Sequence, residues 1–182
     1  MKIFLLLIFS ALLVGCHGES EYEEDEVLAR VFDDEIFYED TKMVFPTNDD
    51  VNLRDRVQQL IQVRLMEHEN ELAGLDLEDE IDEQQYGMFG MGSDVELSDL
   101  PDETYDKLAE QAEAVEMEVD DYFHKWTRMG ARSSVHTNHY LEREFNDLEA
   151  VFQEDHEEAS RIILERLQEL MESYEDDIEI YL

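Results

Sequence analysis

The 182-residue chain contains only one cysteine, Cys16, and few basic residues. A single cysteine excludes a disulfide within the chain, so the folded part must be stabilised by packing alone. The 50 Asp and Glu residues outnumber the 13 Lys and Arg residues, and the formal net charge is −37 at pH 7. A charge of this sign and size repels nucleic acid and anionic lipid headgroups, which excludes DNA and RNA binding.

The sequence nevertheless has enough apolar residues to fold. Hydrophobic residues make up 43% of the chain and include nine Phe and eight Tyr residues. This content is too high for a disordered acidic chain. We therefore expect a folded domain with a strongly anionic surface.

The N-terminus is typical of a bacterial lipoprotein precursor. Lys2 precedes an apolar run over residues 3–14, which has the length of a signal-peptide core and is too short to span a bilayer. Residues 13–16, Leu-Val-Gly-Cys, resemble the lipobox, in which a small residue precedes a cysteine that receives a diacylglycerol. We predict a signal peptide over residues 1–15 and lipidation of Cys16. The alternative is an ordinary secretory signal followed by a chance cysteine.

Residues 16–26 are predicted to form a lipidated, solvated acidic tether, because six of the eight residues from 19 to 26 are acidic. In some bacteria an acidic stretch after the lipidated cysteine marks a protein for the outer cell surface, and this segment is similar to such signals. We predict a membrane-anchored lipoprotein of the bacterial cell envelope. Its periplasmic or surface location stays open.

Hydrophobic patterns predict one mainly α-helical domain over residues 27–182, with a small antiparallel sheet formed by N- and C-terminal strands. Residues 27–31 are typical of a strand, and an Asp-Asp turn leads into a second extended segment over residues 35–38. Residues 177–182 alternate between polar and apolar side chains, which indicates a short C-terminal strand.

Three long helices are predicted between these strands. Apolar positions recur at helical spacing from Val51 to a predicted end near Gly74. A second seam without a break runs over residues 105–126. Gly130 and the small polar residues after it are predicted to end this helix, and a third helix follows with its apolar face over residues 141–174.

Residues 75–99 are predicted to form a long mobile loop, acidic at first and then rich in glycine and methionine. Met88, Phe89 and Met91 interrupt this polar segment, and flexible apolar side chains can repack around varied partners. We identify these three residues as candidate contacts for client proteins. The alternative is that they pack onto the helices.

One group of residues is considered as a metal site. His136, His139 and Glu142 are spaced by three residues, and imidazole with carboxylate suits zinc. Such spacing is expected by chance in so acidic a chain, and no fourth ligand is evident. The acidic residues 76–83 lack the glycine and the ligand spacing of an EF-hand loop. We predict no metal and no cofactor.

Segments at both ends of the chain resemble the SurA-like periplasmic chaperones and parvulin-type peptidyl-prolyl isomerases, particularly their lipoprotein members. The segments are residues 26–31, 35–40, 60–69, 163–171 and 178–181. In that family the two ends pack together as one domain. The resemblance therefore implies that the strand at Val27 pairs with the strand at Ile178.

The resemblance covers about a third of the mature chain that would follow the predicted signal peptide, and two departures limit it. Phe32 stands where the family usually has a small turn residue. A parvulin catalytic domain is a glycine-rich α/β unit with paired histidines and a cysteine or aspartate, and nothing between Leu75 and Tyr140 offers it. We therefore predict no catalytic residue and no isomerase activity.

Together, these features predict a lipid-anchored, non-catalytic, chaperone-like or accessory protein that binds other cell-envelope proteins. The alternative is a structural or adaptor lipoprotein in a stable envelope complex. The expected partners are unfolded clients in the first case and one folded protein in the second. In both cases the membrane is contacted through the N-terminal lipid.

Overall fold

A computed structural model describes residues 22–44, 51–85, 97–145 and 156–182. Cys16, the predicted signal peptide and the predicted client contacts Met88, Phe89 and Met91 lie outside these ranges. The described elements are β1 (Val27–Val31), β2 (Asp34–Phe37), α1 (Tyr38–Val44), α2 (Leu53–Leu72), α3 (Glu78–Gln84), α4 (Asp102–Ala114), α5 (Val119–Glu144), α6 (His156–Ser173) and β3 (Ile178–Ile180). The predicted fold class, mainly α-helical with a small sheet from the two ends, is confirmed.

The sheet has the strand order β2-β1-β3, and both pairs are antiparallel. Val31 pairs with Ile178, which confirms the predicted pairing of the two ends of the chain. Arg30 lies between the two edge strands, where its guanidinium donates to Glu35 Oε1 at 2.8 Å and lies 3.9 Å from Glu179 Oε2. The central strand thus holds both edges by backbone pairing and by charge.

The hairpin turn between β1 and β2 contains Phe32 in the left-handed region, with φ of 55°. A bulky residue is uncommon there. Its ring packs 4.1 Å from the ring of His68 and 5.4 Å from that of Tyr174, measured between centroids. The Tyr174 hydroxyl donates to Glu69 Oε1 at 2.6 Å, and this hydrogen bond raises the pKa of Tyr174 to about 12. A small residue at this position would adopt the left-handed conformation with less strain. At Phe32 the aromatic contacts offset that backbone strain.

Helix α2 matches its prediction, because both of its ends carry local signals. At its start Asn52 is the N-cap, and its side chain accepts a hydrogen bond from the Asp55 backbone N–H at 3.0 Å. After its end Gly74 adopts φ of +77°, the left-handed conformation that favours glycine.

The predicted single helix over residues 105–126 is wrong, because α4 ends at Ala114 and α5 begins at Val119. Glu116 interrupts the helix with φ of 55°. The two helices then pack side by side, and the Tyr122 hydroxyl donates to Gln111 Oε1 at 3.4 Å. The apolar spacing continued through the turn because both helices bury their apolar faces in the same core.

The predicted helix break at Gly130 is also wrong, because α5 runs through it to Glu144. A helical glycine costs only about 1 kcal/mol relative to alanine. Ala131 and Val135 beside it are buried, so packing outweighs that cost. The predicted third helix over residues 141–174 is accordingly divided between the end of α5 and the separate α6.

Two predicted irregular segments contain ordered structure. The predicted loop over residues 75–99 is wrong over α3, whose Ile81 is fully buried against α5. Its helical signal was weak, since only Leu77 and Ile81 are apolar among many carboxylates. The predicted tether is wrong over residues 22–26, because the Tyr38 backbone N–H donates to Glu26 O at 2.9 Å and fixes that segment on α1.

The described residues form three apolar clusters, and α5 contributes to each of them. The sheet core joins the sheet, α2, α5 and α6 through Leu28, Ala29, Val31, Ile36, Val57, Leu60, Ile61, Leu65, Met66, Tyr140, Leu141 and Leu170. The α4 core contains Met43, Leu100, Leu108, Ala112, Val115, Tyr122 and Phe123. The α3 junction contains Leu77, Ile81, Ala131 and Val135. None of the helices in the described ranges combines the length and hydropathy of a membrane-spanning segment.

Candidate functional site

A cleft with a volume of about 220 Å³ lies between β2, α1, α2 and α5. Its apolar lining is Ile36, Leu60, Val63 and Met129, and its charged lining is Asp40, Arg64, Glu67, Lys125, Arg128 and Arg132, with Ser133 beside them. Ile36 and Leu60 belong to the buried sheet core, so they form the base of the cleft. The cleft therefore combines an apolar base with a charged rim.

The charge of this cleft differs from that of the whole chain. Four of the 13 Lys and Arg residues line it, with only two carboxylates among the lining residues. The lining is thus positively charged in a protein whose formal net charge is −37. The lining is therefore richer in basic side chains than the chain as a whole, and Glu39, Glu78 and Asp82 beside the cleft pair with its outer cations.

Glu67 organises the inner part of the rim. Its side chain is only 6% exposed, and its two oxygens lie 2.9 Å from Arg64 Nη1 and 2.5 Å from Arg132 Nε. A buried carboxylate is tolerated only when it is paired in this way. Burial alone would lower the pKa of Arg132, but the charge and the hydrogen bond of Glu67 raise it above its usual value. Glu67 therefore fixes two guanidinium groups at the cleft.

The outer part of the rim is held more weakly. Lys125 Nζ lies 2.6 Å from Glu39 Oε2, and Arg128 pairs with Glu78 at 2.5 Å and with Asp82. The Glu78 and Asp82 side chains are 53% and 68% exposed, so water competes for them. Exposed pairs of this kind contribute at most about 1 kcal/mol each. The outer cations can exchange these partners for groups of a ligand.

A buried polar network lies between α2 and α5, beyond the cleft. Arg143 Nη1 donates to Asn70 Oδ1 at 2.8 Å, and because arginine only donates, this bond fixes the Asn70 amide. Asn70 Nδ2 then donates to His136 O at 2.9 Å and lies 3.3 Å from His136 Nδ1. His136 Nδ1 is therefore an acceptor, and the ring proton of neutral His136 lies on Nε2. Burial lowers the pKa of His136.

The three residues considered as a zinc site have different surroundings. His136 belongs to the Asn70 network, and His139 Nε2 lies 2.8 Å from Glu80 Oε2. Glu142 is exposed. Across residues 22–44, 51–85, 97–145 and 156–182, no group of three or more His, Cys, Asp or Glu side chains is placed to hold a metal ion.

The cleft is not among the sites predicted from the sequence, although one signal for it exists. Lys125, Arg128 and Arg132 are spaced by three and four residues and so share one face of a helix. In a chain with few basic residues this spacing marks an unusual surface. The sequence does not show that Arg64 and the apolar base belong to the same cleft, because these residues come from other elements.

Comparison of the chain with family models, with curated proteins and with solved structures found no match. The cleft and the sequence features are therefore the grounds on which a function can be inferred.

Proposed function

We propose that this protein is a lipid-anchored, non-catalytic accessory protein that binds extended segments of other cell-envelope proteins in a chaperone-like manner. The observation that supports this proposal is the cleft, which combines a small apolar base with a rim of both charge signs. The lipobox at Cys16 and the resemblance to SurA-like chaperones support it from the sequence. That resemblance stays a prediction.

The size of the cleft favours one apolar side chain of a polypeptide over a small-molecule ligand. Small-molecule pockets usually enclose about 300–1,000 Å³, and the cleft has a volume of about 220 Å³. One large apolar side chain buried against Leu60 and Met129 would contribute about 1.5–3 kcal/mol. Affinity from a single anchor is low, which suits transient binding of many clients.

The rim suits a peptide backbone. Each peptide group carries a carbonyl acceptor and an N–H donor, and the rim offers the guanidinium donors of Arg128 and Arg132 and the carboxylate of Asp40. A neutral backbone is not repelled by the anionic protein, whereas basic segments of a client are attracted toward it at long range. The expected clients are therefore extended segments with an apolar residue that enters the cleft and with basic residues farther along the segment, where they face the acidic surface of the protein.

Site-specific photo-crosslinking in cells tests this proposal. A photo-reactive amino acid at Ser133 lines the cleft, and the same amino acid at Ser173, an exposed serine of α6, is the matched control. We expect crosslinks to several envelope proteins from position 133 and none from position 173. Equal crosslinking at both positions would contradict binding at the cleft. A single partner in stoichiometric amounts would favour the adaptor alternative.

A pull-down from envelope extract tests the second contact, which the sequence predicts at Met88, Phe89 and Met91. Apolar capture survives added salt, because burial of nonpolar surface is not screened. We expect clients to be retained at high salt and reduced when the three residues are changed to serine. Clients that the triple variant retains in full would exclude this contact and leave the cleft as the proposed site.

The lipid anchor is tested separately. Cys16→Ser should abolish labelling by metabolic palmitate and move the protein from the membrane fraction to the soluble fraction. Unchanged labelling and fractionation would overturn the proposed anchor, whatever the outcome at the cleft.

A further inference from the structure

The segment before β1 is docked on the first turn of α1. The Tyr38 backbone N–H donates to Glu26 O at 2.9 Å, and the Glu39 N–H donates to Glu24 O at 3.2 Å. The first N–H groups of a helix have no partner within the helix, so these carbonyls satisfy donors that α1 leaves open. The backbone is therefore fixed from Glu24 onward.

Side chains fix the same segment to α1. Lys42 forms an ion pair with Glu24, and its ammonium lies 4.9 Å from the centroid of the Tyr38 ring. The Tyr22 ring packs on Tyr38 with 5.7 Å between the ring centroids. Tyr22 is also packed against the sheet core. The folded domain therefore includes Tyr22.

This docking shortens the connection to Cys16. Tyr22 is the sixth residue after Cys16, and a fully extended chain advances 3.3–3.6 Å per residue, so the connection reaches at most about 20 Å. A domain of this size has a radius of gyration of about 15 Å and a diameter of about 40 Å. The connection is too short for the opposite side of the domain to reach a membrane that holds Cys16.

The cleft lies beside the docked segment. The Glu39 backbone binds that segment, while the Glu39 carboxylate pairs with Lys125 of the cleft lining. Asp40, the next residue of α1, lines the cleft directly. One turn of α1 thus joins the attachment point to the proposed binding site.

Resting on the lipid anchor proposed above, we infer that the domain is held with its α1 side toward the membrane, so that the cleft receives segments of membrane proteins close to the bilayer surface. The anionic surface repels anionic headgroups only within a Debye length of about 8 Å at physiological salt. This repulsion leaves a small gap between the domain and the membrane and does not turn the α1 side away from it. The occupant is an extended segment of a protein embedded in the same membrane.

Energy transfer on vesicles tests the orientation. Asp25 and Asp33 are both exposed, and the five residues of β1 lie between them, a length of about 17 Å. The lipidated full-length protein has no other free thiol, so Asp25→Cys and Asp33→Cys can each carry a donor dye. With acceptor-labelled headgroups in phosphatidylcholine vesicles, we expect stronger transfer from position 25 than from position 33. Equal transfer, or stronger transfer from position 33, would overturn the inferred orientation.

A lengthened tether is the matched control. Ten Gly and Ser residues inserted after Ser20 raise the maximal reach to about 55 Å, enough for the domain to turn freely. We expect the difference between the two labels to fall and crosslinks from Ser133 to membrane proteins to decrease. An unchanged difference and unchanged crosslinks would show that the short connection does not orient the domain.

Vesicle flotation and palmitate labelling separate the two proposals. Protein that does not float and carries no label contradicts the lipid anchor itself. Protein that floats and is labelled, but gives equal transfer from both positions, contradicts the orientation alone and leaves the anchor in place.

Discussion

In the sheet core, Leu28, Ile61 and Leu65 are almost completely buried between the sheet and α2, whereas α3 buries only Ile81 in the α3 junction, together with Leu77 just before the helix. Polar side chains of α3 also face α5, in the ion pairs Glu78–Arg128, Glu78–Arg132 and Asp82–Arg128 and in the hydrogen-bond contacts Glu80–His139 and Gln84–Ser134. Apolar burial stabilises the first region, and a small apolar contact with exposed ion pairs stabilises the second. The comparison shows how an acidic chain uses its few basic residues: they hold an acidic helix against its neighbour.

The largest expected effect is in the sheet core. Leu65→Ala removes a fully buried side chain and leaves a cavity, which costs about 2–5 kcal/mol of unfolding free energy. Leu72→Ala on the same helix is the control, because Leu72 is 67% exposed and its truncation changes stability by about 0.5 kcal/mol or less. Urea denaturation measures both variants. Similar losses for the two would show that this region is not the dominant core.

A smaller effect is expected from the polar network between the two regions. Burial lowers the pKa of His136 below 6.5; Arg132 also lowers it, while Glu67, Glu71 and Glu78 oppose the shift. The unfolded chain therefore binds a proton at His136 more readily than the folded protein does. Stability contributed by neutral His136 is present at pH 7.5, begins to be lost as the pH falls below the unfolded-state pKa of about 6.5, and is lost further until the pH has fallen through the lower pKa of the folded protein.

The matched variant His136→Gln isolates this effect, because the other titrating groups are the same in both proteins. Chemical denaturation at pH 7.5 and pH 5.5 measures the free energy of unfolding. We expect the wild type to lose more stability between these values than the variant does. Equal losses in the two proteins would assign the pH dependence to other groups.

The same comparison explains which parts of the fold could be predicted from the sequence. The strands at both ends and α2 have local signals, such as alternation, the Asn52 cap and Gly74. Helix α3 has no such local signal. Leu77 and Ile81 are recognisable as core residues only because they pack with Ala131 and Val135, which lie about 50 residues later in the chain. The cleft could not be predicted for the same reason, since Ile36, Leu60 and Met129 meet only after folding.

The smallest expected effect is in the ion pairs of the α3 junction. Arg128→Gln removes the pairs with Glu78 and Asp82, and because these groups are partly exposed, the expected loss of stability is at most about 1 kcal/mol at low salt. The loss should concentrate in α3 as faster amide hydrogen exchange, since that helix then keeps only its apolar contact and its contacts with Arg132, Ser134 and His139. At 1 M salt the Debye length falls to about 3 Å, so wild type and variant should exchange at similar rates there.

The control for this prediction is Arg161→Gln. Arg161 also pairs with two exposed carboxylates, those of Glu158 and Glu165, but all three residues belong to α6. Its removal should speed exchange within α6 and leave α3 unchanged. If Arg128→Gln does not affect α3 at low salt, the apolar contact of Leu77 and Ile81 and the remaining contacts with Arg132, Ser134 and His139 hold the helix without the Arg128 pairs. If the substitution does affect α3, Arg128 has two roles: it is a cation proposed to bind a client, and it keeps α3 in place. Client binding should then loosen α3.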